Sequence, residues 1–519
     1  MASGRAPPED QEGSVEGTPS VGIESDGGVG IGRGIRMAYK WKIALLAAGG
    51  LFALFILAAV ALVLFVDVNA HKPRLEEAAS DALGMEVRIG GRLGIGLFPG
   101  FHVTLEDVRI RNRGADVASA KEATLGIALL PLLHKELRIV KIRMMRPRIS
   151  IEQDRDGKFN FETPEGEAGK KTPEEPEGTR FSLNVTNVSL SGGTFIYADR
   201  KSGEELEAGN FTLDVSRLRI TGGKDADFRK NLSFAAEFGC KEFRTENLVV
   251  TDLSSAVTGK DGVFDFNPVT MRLFGGQGSG SFRADLSGSV PRYHVRYSLS
   301  RFRIEEFLKV LSPKGVAEGP MDLSATLSMR GKTADEMKRT ADGEVSLRGE
   351  NLTVSGVDLD RTFSRYEASQ SFNLVDVGAF FIAGPFAPLV TKGYDFASLF
   401  RGSGGGSRIR ALVSDWEVER GIARAKDVAM ATNENRIALM GSLDFANERF
   451  DDVTVALIDG NGCATLRQKI RGSFRKPVVE KVHVLQSVAG PVLKLFKQAG
   501  KLLGGKCEVV YAGSVAPPK

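Results

Sequence analysis

Residues 268–280 read Pro-Val-Thr-Met-Arg-Leu-Phe-Gly-Gly-Gln-Gly-Ser-Gly, and this stretch decides the fold. Val269, Met271 and Leu273 alternate with Thr270 and Arg272, so one face of a strand is apolar and the other polar. Gly275-Gly276 then supplies a turn. The signature recurs in both directions. Val108 and Ile110 flank Arg109, Ile149 and Ile151 flank Ser150, and Phe211, Leu213 and Val215 are separated by Thr212 and Asp214. Val345 and Leu347 straddle Ser346. Asp156-Gly157, Gly192-Gly193, Gly222-Gly223, Asp342-Gly343 and Asp459-Gly460 read as further turns. The expected fold is mainly β with a few helices, a long antiparallel meander. Its many turns account for 60 glycines in 519 residues. Helices are expected at 73–83, closed by Gly84, at 303–311 and at 334–340, with an amphipathic basic helix at 481–506.

Ahead of the meander, residues 43–66 (IALLAAGGLFALFILAAVALVLFV) carry no charge. At 1.5 Å per residue they reach about 36 Å, enough to span a bilayer core as a helix. Arg33, Arg36, Lys40 and Lys42 precede the stretch and Asp67 follows it, which places the N-terminus in the cytoplasm. The expectation is a single-pass inner-membrane protein with the bulk of the chain on the periplasmic side. Residues 1–32 read as a disordered cytoplasmic tail.

The formal charge of +4 is too balanced for a nucleic-acid binder. The five histidines are scattered, with no Cys/His pair at metal spacing, no GxxxxGK[ST] loop and no GxSxG elbow. Neither an enzyme nor a cofactor is expected. Of the three cysteines, Cys463 and Cys507 are the disulfide candidate in an oxidising compartment, and Cys240 is expected to be free and buried.

Several segments, in order, resemble the AsmA-like proteins of Gram-negative bacteria. They are Leu83-Gly84-Met85-Glu86-Val87, Gly91-Arg92-Leu93, Leu97-Phe98-Pro99, Leu130-Pro-Leu-Leu133, Arg146-Pro147-Arg148-Ile149 and Asp156-Gly157-Lys158-Phe159-Asn160-Phe161. The hairpin Leu273-Phe-Gly-Gly276 and the stretches 343–359 and 408–479 are similar as well. The resemblance implies an inner-membrane anchor, a long curved sheet with a hydrophobic groove and a role in outer-membrane biogenesis. The larger relatives TamB and YhdP are implicated in moving phospholipid.

The division expected is a module at 72–161, a linker at 162–180, a central β-groove region at 181–400, a β region at 401–480 and a tail at 507–519. Within the central region, 372–400 is an apolar segment whose Phe380, Phe381 and Phe386 are candidates for a lid. Groove candidates are Val108, Ile110, Ile149, Ile151, Phe211, Leu213, Val215, Val269, Met271, Leu273, Val345 and Leu347. The expected partners are membrane phospholipid, the inner membrane and outer-membrane assembly proteins. The alternative is an assembly factor with a closed β core and no lipid. An open groove and a closed sandwich differ in one feature: whether the apolar face stays accessible.

Overall fold

The structure is a computed structural model of the full chain. It describes residues 68–518 apart from 98–99, 133, 135, 163–179, 221–227, 247, 312–316, 357, 362–404, 481–482 and 485–508. The chain divides into two compact units, Met1–Val66 and Asp67–Lys519, and every described residue belongs to the second. The expected tail at 1–32 and membrane segment at 43–66 lie outside the described residues, as do most of the linker and the lid candidates Phe380, Phe381 and Phe386. No helix among the described residues is long and apolar enough to cross a membrane.

A 3-10 turn at Val68–His71 leads into helix α1 (Lys72–Leu83), with Pro73 in its first turn and Gly84 at φ 65° ending it. Strands β1 (Glu86–Ile89) and β2 (Leu93–Gly96) then lie in series along β3 (His102–Asn112). β4 (Ala115–Ile127), the one-turn helix α2 (Leu129–Leu132), β5 (Glu136–Met145) and β6 (Arg148–Gln153) complete this module. The central strands are β7 (Arg180–Asp199), β8 (Glu205–Ile220), β9 (Leu232–Thr245), β10 (Val249–Lys260), β11 (Val263–Leu273), β12 (Gly276–Asp285) and β13 (Arg292–Arg303), with helix α3 (Phe228–Asn231) before β9. Helix α4 (Ile304–Leu311), β14 (Ala317–Glu318), β15 (Pro320–Arg330), helix α5 (Ala334–Arg339) and β16 (Asp342–Ser355) follow. The last group is β17 (Gly406–Glu419), β18 (Ile422–Ala431), β19 (Arg436–Asp444), β20 (Arg449–Ile458), β21 (Ala464–Ser473), β22 (Lys476–Val479) and β23 (His483–Val484). The 23 strands among the described residues belong to one sheet.

Pairing is antiparallel with one departure: β7 runs parallel to both β5 and β6. β5 and β6 lie end to end along β7 and share a direction with it. A parallel neighbour requires a crossover, and residues 154–179 make it. Within the terminal basic helix expected at 481–506, His483–Val484 are instead strand and pair with Arg467 and Leu466, and the rest lies outside the described residues.

Two of the expected turns are not turns. Gly192-Gly193 lies inside β7, where a Cβ on Gly193 would stand 2.4 Å from the Phe211 ring on the next strand. Gly343 is near the start of β16, where a Cβ would meet the Thr326 carbonyl oxygen at 1.9 Å. These glycines admit a close approach between strands rather than a reversal. The β11–β12 hairpin turns one residue earlier than expected, on Phe274 (φ 51°) and Gly275 (φ 75°). Both central residues are left-handed, as a two-residue hairpin with right-handed twist requires.

The N-terminal edge of the sheet is sealed by α1. Ser80 Oγ accepts from Val87 N–H at 2.8 Å and Glu76 Oε1 from Ile89 N–H at 2.6 Å. Asn69 Oδ1 accepts from Leu93 N–H, and Lys72 Nζ donates to the Gly91 carbonyl. Edge groups so occupied cannot recruit another strand.

Over β17–β20 runs of consecutive residues are buried, so the sheet is covered there on both faces. One core holds Leu299, Leu347, Leu412, Trp416, Met430, Ile437, Leu439, Val453 and Ile470, and on the other side Val413, Ala429, Ala431, Ala438, Ala456 and Ile458 pack under Tyr511 and Val515. The C-terminal tail is therefore a strap. Its Tyr511 hydroxyl donates to Asp427 Oδ1 at 2.5 Å, and Ser514 donates through both N–H and Oγ to Asp427 Oδ2. Arg436 lies 5.5 Å from the Tyr511 ring centre and donates to the Val515 carbonyl. Cys463 is disulfide-bonded and pairs antiparallel with Val509, while Cys240 is a free, buried thiol. The remaining cysteine, Cys507, lies outside the described residues.

Burial raises the Asp427 carboxyl, but the hydrogen bonds from Ser514 and Tyr511 outweigh it and hold the group below its ordinary value. A depressed carboxylate contributes stability that is present above its unfolded value and lost as pH falls through the folded one. The strap is thus expected to loosen only in acid, below about pH 4. Asp427→Asn is expected to loosen it at neutral pH, by about 1.5–3 kcal/mol. Limited proteolysis of the C-terminus against pH, for both proteins, checks this.

Candidate functional site

Directly opposed residues share a face of the sheet, so the register can be followed strand by strand. One row runs Ser255, Val269, Gly280, Tyr297, Ala325, Val345, Trp416. A second runs Met271, Gly278, Leu299, Leu323, Leu347, Ser414. A third runs Val257, Phe266, Phe282, Val295, Leu327, Gly343, Val418. Toward the N-terminus, Val215, Leu213 and Phe211 oppose Ala236, Phe238 and Cys240, and these oppose Val257, Ser255 and Leu253.

The first module joins the same face. Ile110 opposes Ala118, Ala118 opposes Ile149, Ile149 opposes Phe195 and Phe195 opposes Ala208. Ile149 and Phe195 pack against the cluster of Ala208, Phe211 and Cys240. Val108 and Ile151 lie two residues along from Ile110 and Ile149. All twelve groove candidates therefore sit on one face.

The opposite face is polar. Thr270, Ser279, Ser298, Ser324, Ser346 and Asp415 form one row across it. Arg283 bridges Asp265 at 2.9 Å and Arg348 bridges Asp415 at 2.6 Å, both across strands. An open depression of about 500 Å³ lies toward this side, with Lys141, Arg143, Asp214 and Glu237 among its residues. Its mixed charge and openness give it no selectivity, so the apolar face is the better candidate.

Burial along the apolar face is graded. Leu213, Val215, Phe238, Phe266, Val269, Met271, Phe282, Val295 and Leu327 are half-buried, whereas Val345 and Leu347 are buried and Trp416 is 2% exposed. The face is partly accessible over β7–β15, where buried Phe211, Ser255, Val257 and Leu299 lie among the half-buried residues, and it closes at β16. Eight adjacent strands at about 4.8 Å spacing give it roughly 38 Å of accessible width.

Glycines on β12 shape the face. A Cβ on Gly280 would stand 2.1 Å from the Arg296 carbonyl oxygen, and one on Gly278 would stand 1.7 Å from the Tyr297 hydroxyl. The Tyr297 ring thus lies along β12 with its hydroxyl buried and without a hydrogen-bond partner, and burial pushes that phenol up. An unmatched buried hydroxyl is destabilising. Tyr297→Phe is expected to leave the fold unchanged and to stabilise it by up to about 1 kcal/mol, read from the midpoint of urea denaturation.

The strands are not uniformly alternating. Asp107, Asn210, Asp252 and Arg301 take positive φ inside strands, at 50°, 52°, 52° and 52°. The register of the flanking pairs shifts beside Asn210, Asp252 and Arg301. These are bulges, which bend a strand and raise its twist. Asn210 carries the face from Ala208 to Phe211, and Arg301 from Leu299 to Phe302. No group of three or more His, Cys, Asp or Glu side chains able to hold a metal ion occurs among the described residues.

A model of the AsmA family matches residues 37–238 and 220–380, more than half of the chain. The match covers the accessible part of the apolar face and stops before β17, so the C-terminal stretch 408–479 lies beyond it. A search among curated proteins finds no match.

Proposed function

The chain belongs to the AsmA family, and from that premise we propose that it is a membrane-anchored, non-catalytic periplasmic protein that holds phospholipid acyl chains on its apolar face. Family membership suggests a role in outer-membrane and lipid-related biogenesis. The observation that supports the finer reading is one continuous apolar face on which many residues over β7–β15, Leu213, Val269, Met271 and Leu327 among them, are only half-buried, whereas from β16 it is buried. A phospholipid leaving a bilayer exposes two chains of roughly 15 methylenes, about 12 kcal/mol each at about 0.8 kcal/mol per CH₂. Valine, leucine and phenylalanine rows offset that without direction, so a chain can slide along them. Phe dominates over Tyr, 31 to 7, which keeps hydroxyls needing partners scarce.

The alternative reading, an assembly factor acting through exposed strand edges, meets an obstacle at one end. α1 and the turn before it occupy the N-terminal edge, with side-chain hydrogen bonds from Val87 and Ile89 to α1 and from Leu93 to Asn69 of the turn. The two readings separate in one experiment. A protease site inserted between Val66 and Asp67 of the full chain lets the β unit be released after purification. About one or more phospholipids retained per released unit supports the proposal. A folded, lipid-free unit refutes it and favours the assembly reading.

A further inference from the structure

Two connections at one end of the first module are made of the wrong residues for loops in water. Residues 93–104 (LGIGLFPGFHVT) and 126–134 (GIALLPLLH) contain no Asp, Glu, Lys or Arg, whereas surface connections are ordinarily polar. The two are neighbours: His102 pairs with Gly126, and Ile127 N–H donates to the Phe101 carbonyl at 2.9 Å. Three of their leucines are exposed, Leu97 by 38%, Leu129 by 47% and Leu130 by 76%, whereas Leu93 is buried. Next in sequence, residues 135–141 (KELRIVK) hold three basic residues and one acidic. Lys141 stands opposite Gly126, and the Arg138 carbonyl accepts from Ala128 N–H. Apolar leucines with Arg138 and Lys141 on the strand beside them match the boundary between acyl chains and anionic headgroups.

The path of the chain points to the same end. Lys72 donates to the Gly91 carbonyl, and Asn69 accepts from Leu93 N–H. Tracing back from residue 72 to residue 69 therefore moves along β2 from 91 to 93, toward Leu97. The uncharged stretch 43–66 lies just upstream in sequence.

We propose that the Leu97/Leu129/Leu130 tip is a second membrane contact, seated in the headgroup region of the bilayer that holds residues 43–66. The proposal rests on the anchor in the preceding reading, and not on lipid occupying the apolar face. It gives Leu97, Leu129 and Leu130 a common role that the apolar face does not use.

The test uses the full chain reconstituted into vesicles of phosphatidylethanolamine and phosphatidylglycerol. An environment-sensitive fluorophore is placed through Leu130→Cys, Leu97→Cys or, on the polar face, Ser324→Cys. The unsubstituted chain labelled in parallel is the blank, since Cys240 is buried and Cys463 is bonded. The expected result is blue-shifted emission at 97 and 130, quenched severalfold by nitroxide-bearing lipid, with neither effect at 324. Probes at 97 and 130 that behave like 324 overturn the tip alone. Probes shielded from water but not quenched by the lipid nitroxide assign the tip to a protein partner and overturn it as well. A chain that does not co-float with the vesicles overturns the anchor, and the tip with it. Because Leu130 is largely exposed, its replacement leaves folding intact, and lipid retained by the released β unit remains a separate measurement.

Discussion

Val269→Asp together with Met271→Asp is expected to cut the phospholipid held by the β unit more than tenfold. Both side chains are half-buried on the accessible part of the apolar face, in the rows that run from β11 to β17. A carboxylate there must stay hydrated, so acyl methylenes cannot pass over it without stripping its water. Losing contact with even two methylenes costs about 1.6 kcal/mol, and 1.4 kcal/mol is a factor of ten in affinity. Because these positions are only half-buried, the carboxylates reach solvent in the empty protein and the sheet persists. Thr270→Asp, one residue away on the polar face, is the control and is expected to change nothing. Lipid extraction from the released unit, with circular dichroism confirming the fold, checks both.

Trp416→Ala carries the largest expected loss of stability, about 3–5 kcal/mol. Trp416 is 2% exposed, opposes Val345 and Ala425, and its indole Nε1 donates to Ser414 Oγ at 2.7 Å. The substitution opens a cavity at the closed end and takes a donor from Ser414, which is itself 0% exposed. Denaturant unfolding of the two proteins side by side gives the difference. A cost below about 1 kcal/mol would mean that β16–β21 are not a closed core, and the graded face would lose its closed end.

The alternation that made the meander legible works where a strand is covered on one side only. Val269-Thr-Met-Arg-Leu273 shows its two faces in the sequence, and the structure places all twelve alternating candidates on one face. It fails in three places, each with a physical cause. At bulges such as Asn210 the period slips by one, so Ala208 and Phe211 share a face although they are three residues apart. In β18–β20 the runs around Ala429, Ala438 and Val455 are buried on both sides, and a strand buried on both faces shows no alternation. That loss of period was the available sign of a second cover, which the Tyr511–Val515 strap supplies. Gly192-Gly193 and Gly343 were unreadable as close approaches, because Phe211 and Thr326, which need the room, are distant in sequence. The parallel pairing of β7 with β5 and β6 depends on a crossover that no local pattern announces.

The central claim is that acyl chains lie on the accessible apolar face, and its most direct test uses that face's own period. A photoreactive residue is placed in the full chain, in its native membrane, at Leu213, Met271 or Leu323, and separately at Thr212, Arg272 or Ser324. The account predicts phospholipid adducts at 213, 271 and 323 and none at 212, 272 and 324. Equal yields on both sets, or adducts at neither, would contradict it.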